Sequence, residues 1–144
     1  MITKEQNLNK YCLFYVSDFH LEMILLPYIK DNLQKSKITI ITEEDLSTSI
    51  KILMDKVNLE DTQKEEILNL DWKNNFFKIE ESNFDKNIII LNGNVKFIKE
   101  KNDEIKRMNL KNVDVIDCYN INKFNVDISE IKKEYDGVLN TKNI

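Results

Sequence analysis

The chain has 144 residues, of which 42% are hydrophobic and 32% charged, and its net charge is −4 at pH 7. This size and composition are typical of one globular domain, so we treat residues 1–144 as a single unit. The polar segment 1–10 and the lack of a long apolar run predict a cytoplasmic protein with no signal peptide and no membrane segment. The acidic balance argues against nucleic acid as a partner.

The two cysteines give little support for a disulfide or a zinc site. Cys12 and Cys118 fall on different predicted strands and lack the C-x-x-C spacing. We therefore predict that both are small buried hydrophobes, and the sequence predicts no bound metal and no cofactor.

The first apolar run, over residues 11–16, is continuous rather than alternating, which is typical of a strand buried on both faces. Ser17 and Asp18 then offer oxygens that can cap a helix over about 19–34. Pro27 removes a backbone donor in the middle of that helix, so a kink is expected there.

The second strand is predicted at 38–41, and the Thr42-Glu43-Glu44-Asp45 segment after it has the spacing of a helix N-cap. The helix that it opens carries apolar residues between 46 and 57 on one face. A further short helix is predicted over about 59–70, with Trp72 closing it.

The third strand, over 87–91, is the strongest strand signal because it contains the run Ile-Ile-Ile-Leu. A turn follows at Asn92-Gly93-Asn94, where the glycine tolerates a positive φ angle. A helix over 95–108 and a strand over 113–118 come next. Val95, Ile98, Ile105 and Met108 are predicted to face inward.

Two weaker segments are predicted at the edges of the sheet. One is a short strand in the irregular region before the third strand, at Phe76, Phe77 and Ile79. The other is Val138-Leu139, after a short helix over about 129–135 for which Gly137 is a candidate C-cap.

Repeated strand-then-helix units predict a three-layer, Rossmann-like α/β domain with a mainly parallel sheet of about five strands flanked by helices. Such folds often hold a nucleotide on a glycine-rich turn, but this chain has only two glycines. Neither G-x-x-x-x-G-K-[ST] nor G-x-G-x-x-G occurs, and Asp18 places a negative side chain where a phosphate needs bare amides.

Ligands of open parallel sheets bind beyond the carboxyl ends of the strands, so the polar residues there are the candidates for a site. They are Ser17, Asp18, His20, Thr42, Glu43, Glu44, Asn92, Asn94, Asp117, Tyr119 and Asn120, with Tyr15 adding an aromatic surface. One hypothesis is that the chain is a small metal-dependent hydrolase whose metal is bound by Asp18, His20 and Asp117, since imidazole and carboxylates suit divalent ions. The alternative, which we favour, is that these oxygens cap helices and turns.

The segment 21–29 is apolar on all sides of its predicted helix, so it has to be covered on more than one face. Core packing is the favoured explanation. A homodimer or adaptor interface and a pocket for an apolar ligand stay open as alternatives. The candidate interface residues are Leu21, Ile24, Leu25 and Tyr28.

Three segments, in chain order, resemble the sensory domain family called MEDS, or DcmR-type. The first comprises Tyr11–Tyr15 and Leu26-Pro27-Tyr28-Ile29, and the second comprises Ile38–Glu43 with Leu70-Asp71-Trp72. The third comprises Val115–Asn120, Phe124 and Tyr135–Leu139. The family is itself similar to a RecA/KaiC-like α/β fold that has lost its nucleotide-hydrolysing motif.

The resemblance implies a degenerate RecA-like domain that senses small organic compounds and is not an enzyme. Members of the family are often joined to a DNA-binding or kinase domain. Neither domain is predicted in this sequence, so the resemblance also implies that the chain acts through a separate regulatory protein partner. The candidate ligand-binding residues are the ones chosen above from their positions at the strand ends, namely Tyr15, Ser17, Asp18, His20, Thr42, Glu43, Asn92, Asp117 and Tyr119.

Overall fold

Ten helices and strands are present in the computed structural model, which describes residues 7–76, 84–108, 110–123 and 127–140. The strands are β1 (Asn7–Tyr15), β2 (Lys37–Thr42), β3 (Asn87–Asn92), β4 (Asn112–Asn120) and β5 (Gly137–Val138). The helices are α1 (Asp18–Asn32), α2 (Ser47–Met54), α3 (Asp61–Leu68), α4 (Val95–Met108) and α5 (Ile128–Lys132). No helix in these ranges is long and apolar enough to cross a bilayer.

The five strands form one parallel sheet in the order β2-β3-β4-β1-β5. One apolar core lies between the sheet and α1, α2 and α3, and a second lies between the sheet and the α4 and α5 side. The predicted three-layer α/β fold is therefore confirmed. The strand order differs from the 3-2-1-4-5-6 order of dinucleotide-binding folds.

The carboxyl ends of β1 and β4 form a topological switch point. β1 and β4 are neighbours, but the chain leaves β1 toward β2 at one edge and leaves β4 toward β5 at the other edge. The first connection passes β4 on the face covered by α1 to α3, and the second passes β1 on the face covered by α4 and α5, so the two leave on opposite faces of the sheet. Crevices at such points are the usual ligand sites of open α/β sheets.

The central strands are covered on both faces, which explains their continuous apolar sequences. Residues 88–91 of β3 have no exposed surface, and Val113, Val115 and Ile116 of β4 are equally buried. β1 begins earlier than the sequence predicts. Residues 7–10, three of which are polar, are held in the sheet by pairing with 112–115 of β4.

Helix α1 is packed into the core on more than one side. The Ser17 side chain accepts a hydrogen bond from the His20 amide and caps the helix, as predicted. Leu21 and Leu25 have 0% and 1% exposed surface and belong to the core beneath α1 to α3. Core packing is thus observed, and a second copy of the chain could not reach these two side chains without rearranging the helix.

The other two candidate interface residues also pack inside the chain. Ile24 is 4% exposed, and the half-buried ring of Tyr28 packs against the same core. The four residues therefore do not form an external face.

Two predicted caps are wrong. α2 begins at Ser47 with Leu46 before it, and Thr42 ends β2 instead of capping the helix. Gly137 does not end α5, whose last residue is Lys132, but starts β5. In both cases the residue is drawn into the sheet by a neighbouring strand, a long-range effect that local spacing cannot reveal.

Helix α4 has the predicted bounds, but its apolar face is narrower than expected. Ile98 and Ile105, which are seven residues apart, are buried against the second core. Val95 and Met108, at the two ends, are 48% and 41% exposed. Of the four residues predicted to face inward, only these two isoleucines are covered by the sheet side of the core.

The predicted edge strands have different outcomes. Phe76 lies outside any strand and is exposed, while Phe77 and Ile79 fall outside the described residues. Val138 does pair with β1 as a short edge strand, together with Gly137. Leu139, just beyond it, is buried and donates its amide proton to the Cys12 carbonyl.

Candidate functional site

A neutral hydrogen-bond network lies beneath the carboxyl ends of β1, β2 and β3. The Tyr15 hydroxyl donates to Asn92 Oδ1 at 2.6 Å, and Asn92 Nδ2 donates to Thr42 Oγ1 at 3.0 Å. All three residues are buried, and burial raises the pKa of Tyr15 far above its ordinary value. Three of the predicted site residues therefore do meet, but they satisfy one another's hydrogen bonds.

The helix N-termini at this end of the sheet are occupied by side chains of the protein itself. Ser17 caps α1, and Asn94 Oδ1 accepts a hydrogen bond of 2.7 Å from the Phe97 amide in the first turn of α4. The Glu43 carboxylate accepts from the Asn94 backbone and side-chain nitrogens at 3.0 and 3.2 Å. Glu43 therefore stands where a bound anion would otherwise sit.

Gly93 is required for space at this corner. A Cβ atom there would lie 2.6 Å from Phe97 Cδ2 and 3.1 Å from Glu43 Cβ. The φ angle of Gly93 lies outside the left-handed region, so the turn does not depend on the conformational freedom of glycine. Its actual role is to let the Phe97 ring lie against the backbone.

The loop after β4 closes the end of β1. The Ile121 amide donates to the Tyr15 carbonyl at 2.9 Å, and the Asn122 side chain donates to the Val16 carbonyl at 3.1 Å. Lys123 forms an ion pair with Glu44 after β2. Sequence reasoning missed this loop because its contacts join segments about 80 to 100 residues apart.

Asp18 lies close to this ion pair. Burial raises its pKa, the Glu44 carboxylate adds to the rise, and the Lys123 ammonium opposes it.

Asp117 belongs to a separate cluster on the α4 and α5 side of the sheet. Its fully buried carboxylate pairs with Lys10 Nζ at 3.2 Å and accepts two hydrogen bonds of 3.1 Å from Asn102 Nδ2. The Tyr135 hydroxyl donates to the same carboxylate, and the Tyr119 and Tyr135 hydroxyls lie 2.6 Å apart. Burial raises the pKa of Tyr119 to about 12. Asp117 thereby ties β1, α4 and the segment after α5 to β4.

The structure does not bring Asp117 together with Asp18 and His20. His20 lies on α1, where its Nδ1 accepts a hydrogen bond of 3.0 Å from the Val16 amide. Among the described residues, no group of three or more His, Cys, Asp or Glu side chains could hold a metal ion. The metal-dependent hydrolase hypothesis therefore lacks the cluster on which it was based.

A second fully buried carboxyl lies on the opposite side of the sheet, between α1 and α2. Glu22 has no exposed surface, and its Oε2 accepts a hydrogen bond from the Ser49 hydroxyl. Its Oε1 has no hydrogen-bond partner among the described residues. Burial raises the pKa of Glu22 to about 7. Glu22 was not among the predicted site residues, because its neighbours in 21–29 are almost all apolar and the segment was interpreted as an apolar helix.

The feature best suited to a ligand is a cavity of about 290 Å³ that we call the α1–α5 pocket. Its wall includes the end of β1, the first turns of α1, one side of α5 and the residues that follow β5. The described lining residues are Phe14, His20, Ile24, Ile128, Lys132, Val138, Leu139 and Asn140. Five of these eight are apolar, and the polar ones are an imidazole, an ammonium and an amide.

Only two of these lining residues, His20 and Ile24, were among the predicted site and interface residues. The α5 residues Ile128 and Lys132 come more than 100 positions after them. Their proximity depends on β5 returning to the outer edge of β1, which local patterns do not predict.

A second cavity, of about 370 Å³, runs along the outer edge of β2. Its wall includes residues 37–40 of that strand and ends at Phe76, and residues 77–83 lie outside the described residues. We therefore base the site on the α1–α5 pocket, which lies at the carboxyl end of β1.

No protein-family model, curated protein or solved structure matches this chain. The resemblance to the MEDS family thus stays a prediction.

Proposed function

We propose that this chain is a noncatalytic sensory or regulatory module that binds a small organic ligand in the α1–α5 pocket and acts through a separate protein partner. The observation that carries the proposal is the pocket itself, which is mostly apolar and contains a few polar groups. Pockets of this composition are typical of small-molecule sites, and 290 Å³ is near the lower end of their size range.

The state of the polar residues supports a role without chemistry. Tyr15, Thr42 and Asn92 bond to one another, and Asp117 is held by an ammonium, an amide and a hydroxyl. A general base or a nucleophile needs a free lone pair directed at a substrate. These groups direct their lone pairs at one another and fix the positions of the strands and helices.

Helix α1 gives the ligand a means of affecting the rest of the domain. Ile24 lines the pocket, while Leu21 and Leu25 of the same helix pack in the core and Glu22 packs against α2. A ligand moves a conformational equilibrium only by its different affinity for the two states. Contact with Ile24 couples occupancy of the pocket to the position of α1, and a partner protein reads that position.

The test is a thermal-shift screen of the full chain against small apolar organic compounds, followed by a variant that fills the pocket. A ligand at a hundred times its Kd should stabilise the protein by about 2.7 kcal/mol. Ile128→Trp places a large ring in the pocket from a half-buried position on α5, and we expect it to weaken binding at least tenfold. Ile52→Trp, at a 42% exposed position on α2, is the control and should bind normally.

Two results would contradict the proposed function. One is a screen in which no compound stabilises the protein, or in which Ile128→Trp binds a hit as well as the parent chain does. The other is turnover of ATP or of an ester that is abolished by Asp18→Ala, because the module would then be an enzyme.

A further inference from the structure

The geometry of the α1–α5 pocket points to an organic acid as the ligand: an apolar body with one carboxylate, which is held by Lys132 and His20. This inference rests on the proposed function and adds to it the charge and the chemical class of the ligand. It depends on three features of the pocket, which are its cation, its fixed hydrogen-bond donor and its apolar volume.

The cation is Lys132, on the side of α5 that lines the pocket. Some described lysines are paired with carboxylates, namely Lys10, Lys86, Lys101, Lys123 and Lys133. Lys132 has no carboxylate partner within the described part of the chain, and none of the described lining residues is acidic. The ammonium is thus available to an anion that enters the pocket.

The position of Lys132 relative to β1 supports this assignment. Burial raises the pKa of the Cys12 thiol to about 11, and the Lys132 charge acts in the opposite direction. The ammonium therefore lies close enough to β1 to act on a buried residue of that strand. A lysine directed fully into solvent would have little influence there, because water screens its charge.

The donor is His20. A backbone amide can only donate, so the bond from the Val16 nitrogen to Nδ1 leaves that ring nitrogen without a proton. The neutral imidazole then carries its proton on Nε2, which is a hydrogen-bond donor with no partner among the described residues. The pocket wall therefore offers donors from two sides, the ammonium and the Nε2–H group.

A carboxylate matches this pair of donors, since its two oxygens can each accept a charge-assisted hydrogen bond. An amine would place a second positive charge beside Lys132 with no acid to offset it. A neutral amide offers one oxygen and no charge. The pocket therefore discriminates between ligands of one shape by their polar group.

The remaining wall suits an apolar body. Phe14, Ile24, Ile128, Val138 and Leu139 supply five apolar side chains. A cavity of about 150 Å³ is enough for a benzene molecule, so the 290 Å³ found here can hold a ring with a short chain. Aryl and medium-chain acids are thus of suitable size.

The experiment compares three matched series by calorimetry and thermal shift on the full chain. Each series has the same linear and aryl carbon skeletons, such as hexanoate and phenylacetate, with the polar group changed to an amide or an amine. We expect the carboxylates to bind at least tenfold more tightly than the amides, and the amines to bind most weakly. Carboxylate affinity should fall when salt is raised, and amide affinity should not.

Matched lysine variants then assign the charge. Lys132→Met should lower carboxylate affinity about tenfold and leave amide affinity unchanged. Lys133→Met is the control: that side chain is 71% exposed and paired with Glu130, so carboxylate binding should be unaffected. Unequal effects at these adjacent positions would locate the anion at the pocket wall.

The outcomes separate the two proposals. If amides bind as well as acids, or if Lys132→Met and Lys133→Met act alike, the organic-acid inference is overturned while the pocket remains a ligand site. If no member of any series binds, both the inference and the proposed function are overturned.

Discussion

Asp117 and Glu22 are both fully buried carboxyls, but they lie on opposite sides of the sheet and have opposite surroundings. Asp117 has an ammonium, an amide and a phenol around it, whereas Glu22 has one serine hydroxyl and an oxygen with no partner in the described part of the chain. The comparison shows that burial alone does not decide the role of an acidic residue. The hydrogen-bond donors around Asp117 let its carboxylate connect the surrounding helices and strands. Glu22 has few donors, so burial raises its pKa to about 7 and its charge changes near neutral pH.

The largest expected effect is the loss of the Asp117 carboxylate. Asp117→Ala would leave the half-buried Lys10 without its partner and remove the buried acceptor for Asn102 and Tyr135, so the free energy of unfolding should fall by about 3–5 kcal/mol. Urea denaturation measures this change. Asp103→Ala, at an exposed position of α4, should change stability by less than about 0.5 kcal/mol. A similarly small loss for Asp117→Ala would mean that the cluster does not anchor the fold.

The second effect is the dependence of stability on pH through Glu22. Its pKa in the folded state, about 7, is above its ordinary value of 4.5, so the folded protein binds the proton more tightly. The stability that this provides is fully present below pH 4.5 and is lost as the pH rises through about 7. At pH 8, Glu22→Gln should therefore be more stable than the parent chain by on the order of 2 kcal/mol.

Denaturation curves at pH 5 and pH 8 test this prediction, with Glu65→Gln as an exposed control on α3. The gain from Glu22→Gln should shrink markedly at pH 5, where Glu22 is already protonated in the folded state. An equal gain at both pH values would show that Glu22 does not titrate in this range.

A smaller effect is expected from the Tyr135 hydroxyl. Tyr135→Phe removes one donor to Asp117 and the contact with the Tyr119 hydroxyl, at a cost of about 1–2 kcal/mol. Tyr28→Phe removes a hydroxyl that has no hydrogen-bond partner among the described residues, so its cost should be lower. Equal losses for the two variants, measured by urea denaturation, would argue that ring packing and not the hydrogen bond is responsible.

The smallest effect is expected from Ser49→Ala, which removes the one side-chain donor to Glu22 found within the described ranges. The Ser49 hydroxyl opposes the rise in the Glu22 pKa, so without it the pKa should rise further and the loss of stability should move to higher pH. At pH 5 the variant should lose about 1 kcal/mol or less. A downward movement of the transition, in the same denaturation series, would contradict the assigned role of the hydroxyl.

The sequence predicted what depends on neighbours along the chain. The isoleucine run of β3, the bounds of α4 and the Ser17 cap all follow from local composition and spacing. Thr42 shows the limit of this reasoning. Its spacing suits a helix cap, but its hydroxyl accepts from Asn92, fifty residues later, and the strand extends to include it.

The candidate site was predictable only in part, for the same reason. The network of Tyr15, Thr42 and Asn92 follows from the rule that strand ends meet at one edge of a parallel sheet. The face of the sheet to which each residue of β4 points depends on how β4 pairs with β1, which the sequence does not give. In the observed register Asp117 points to the α4 and α5 side, away from His20 on α1. Lys132 enters the site only because β5 adds to the edge of β1, and nothing near Lys132 in the sequence signals that contact.

Gly93 has a consequence for how far this corner can vary. In nucleotide-binding folds, glycines at such turns let the backbone approach a pyrophosphate closely. Here the space beside the glycine backbone is occupied by the Phe97 ring, from the first turn of α4. Any larger residue at position 93 would push that ring outward, so substitution alone would not restore a phosphate cradle without first dislodging part of the protein's own packing.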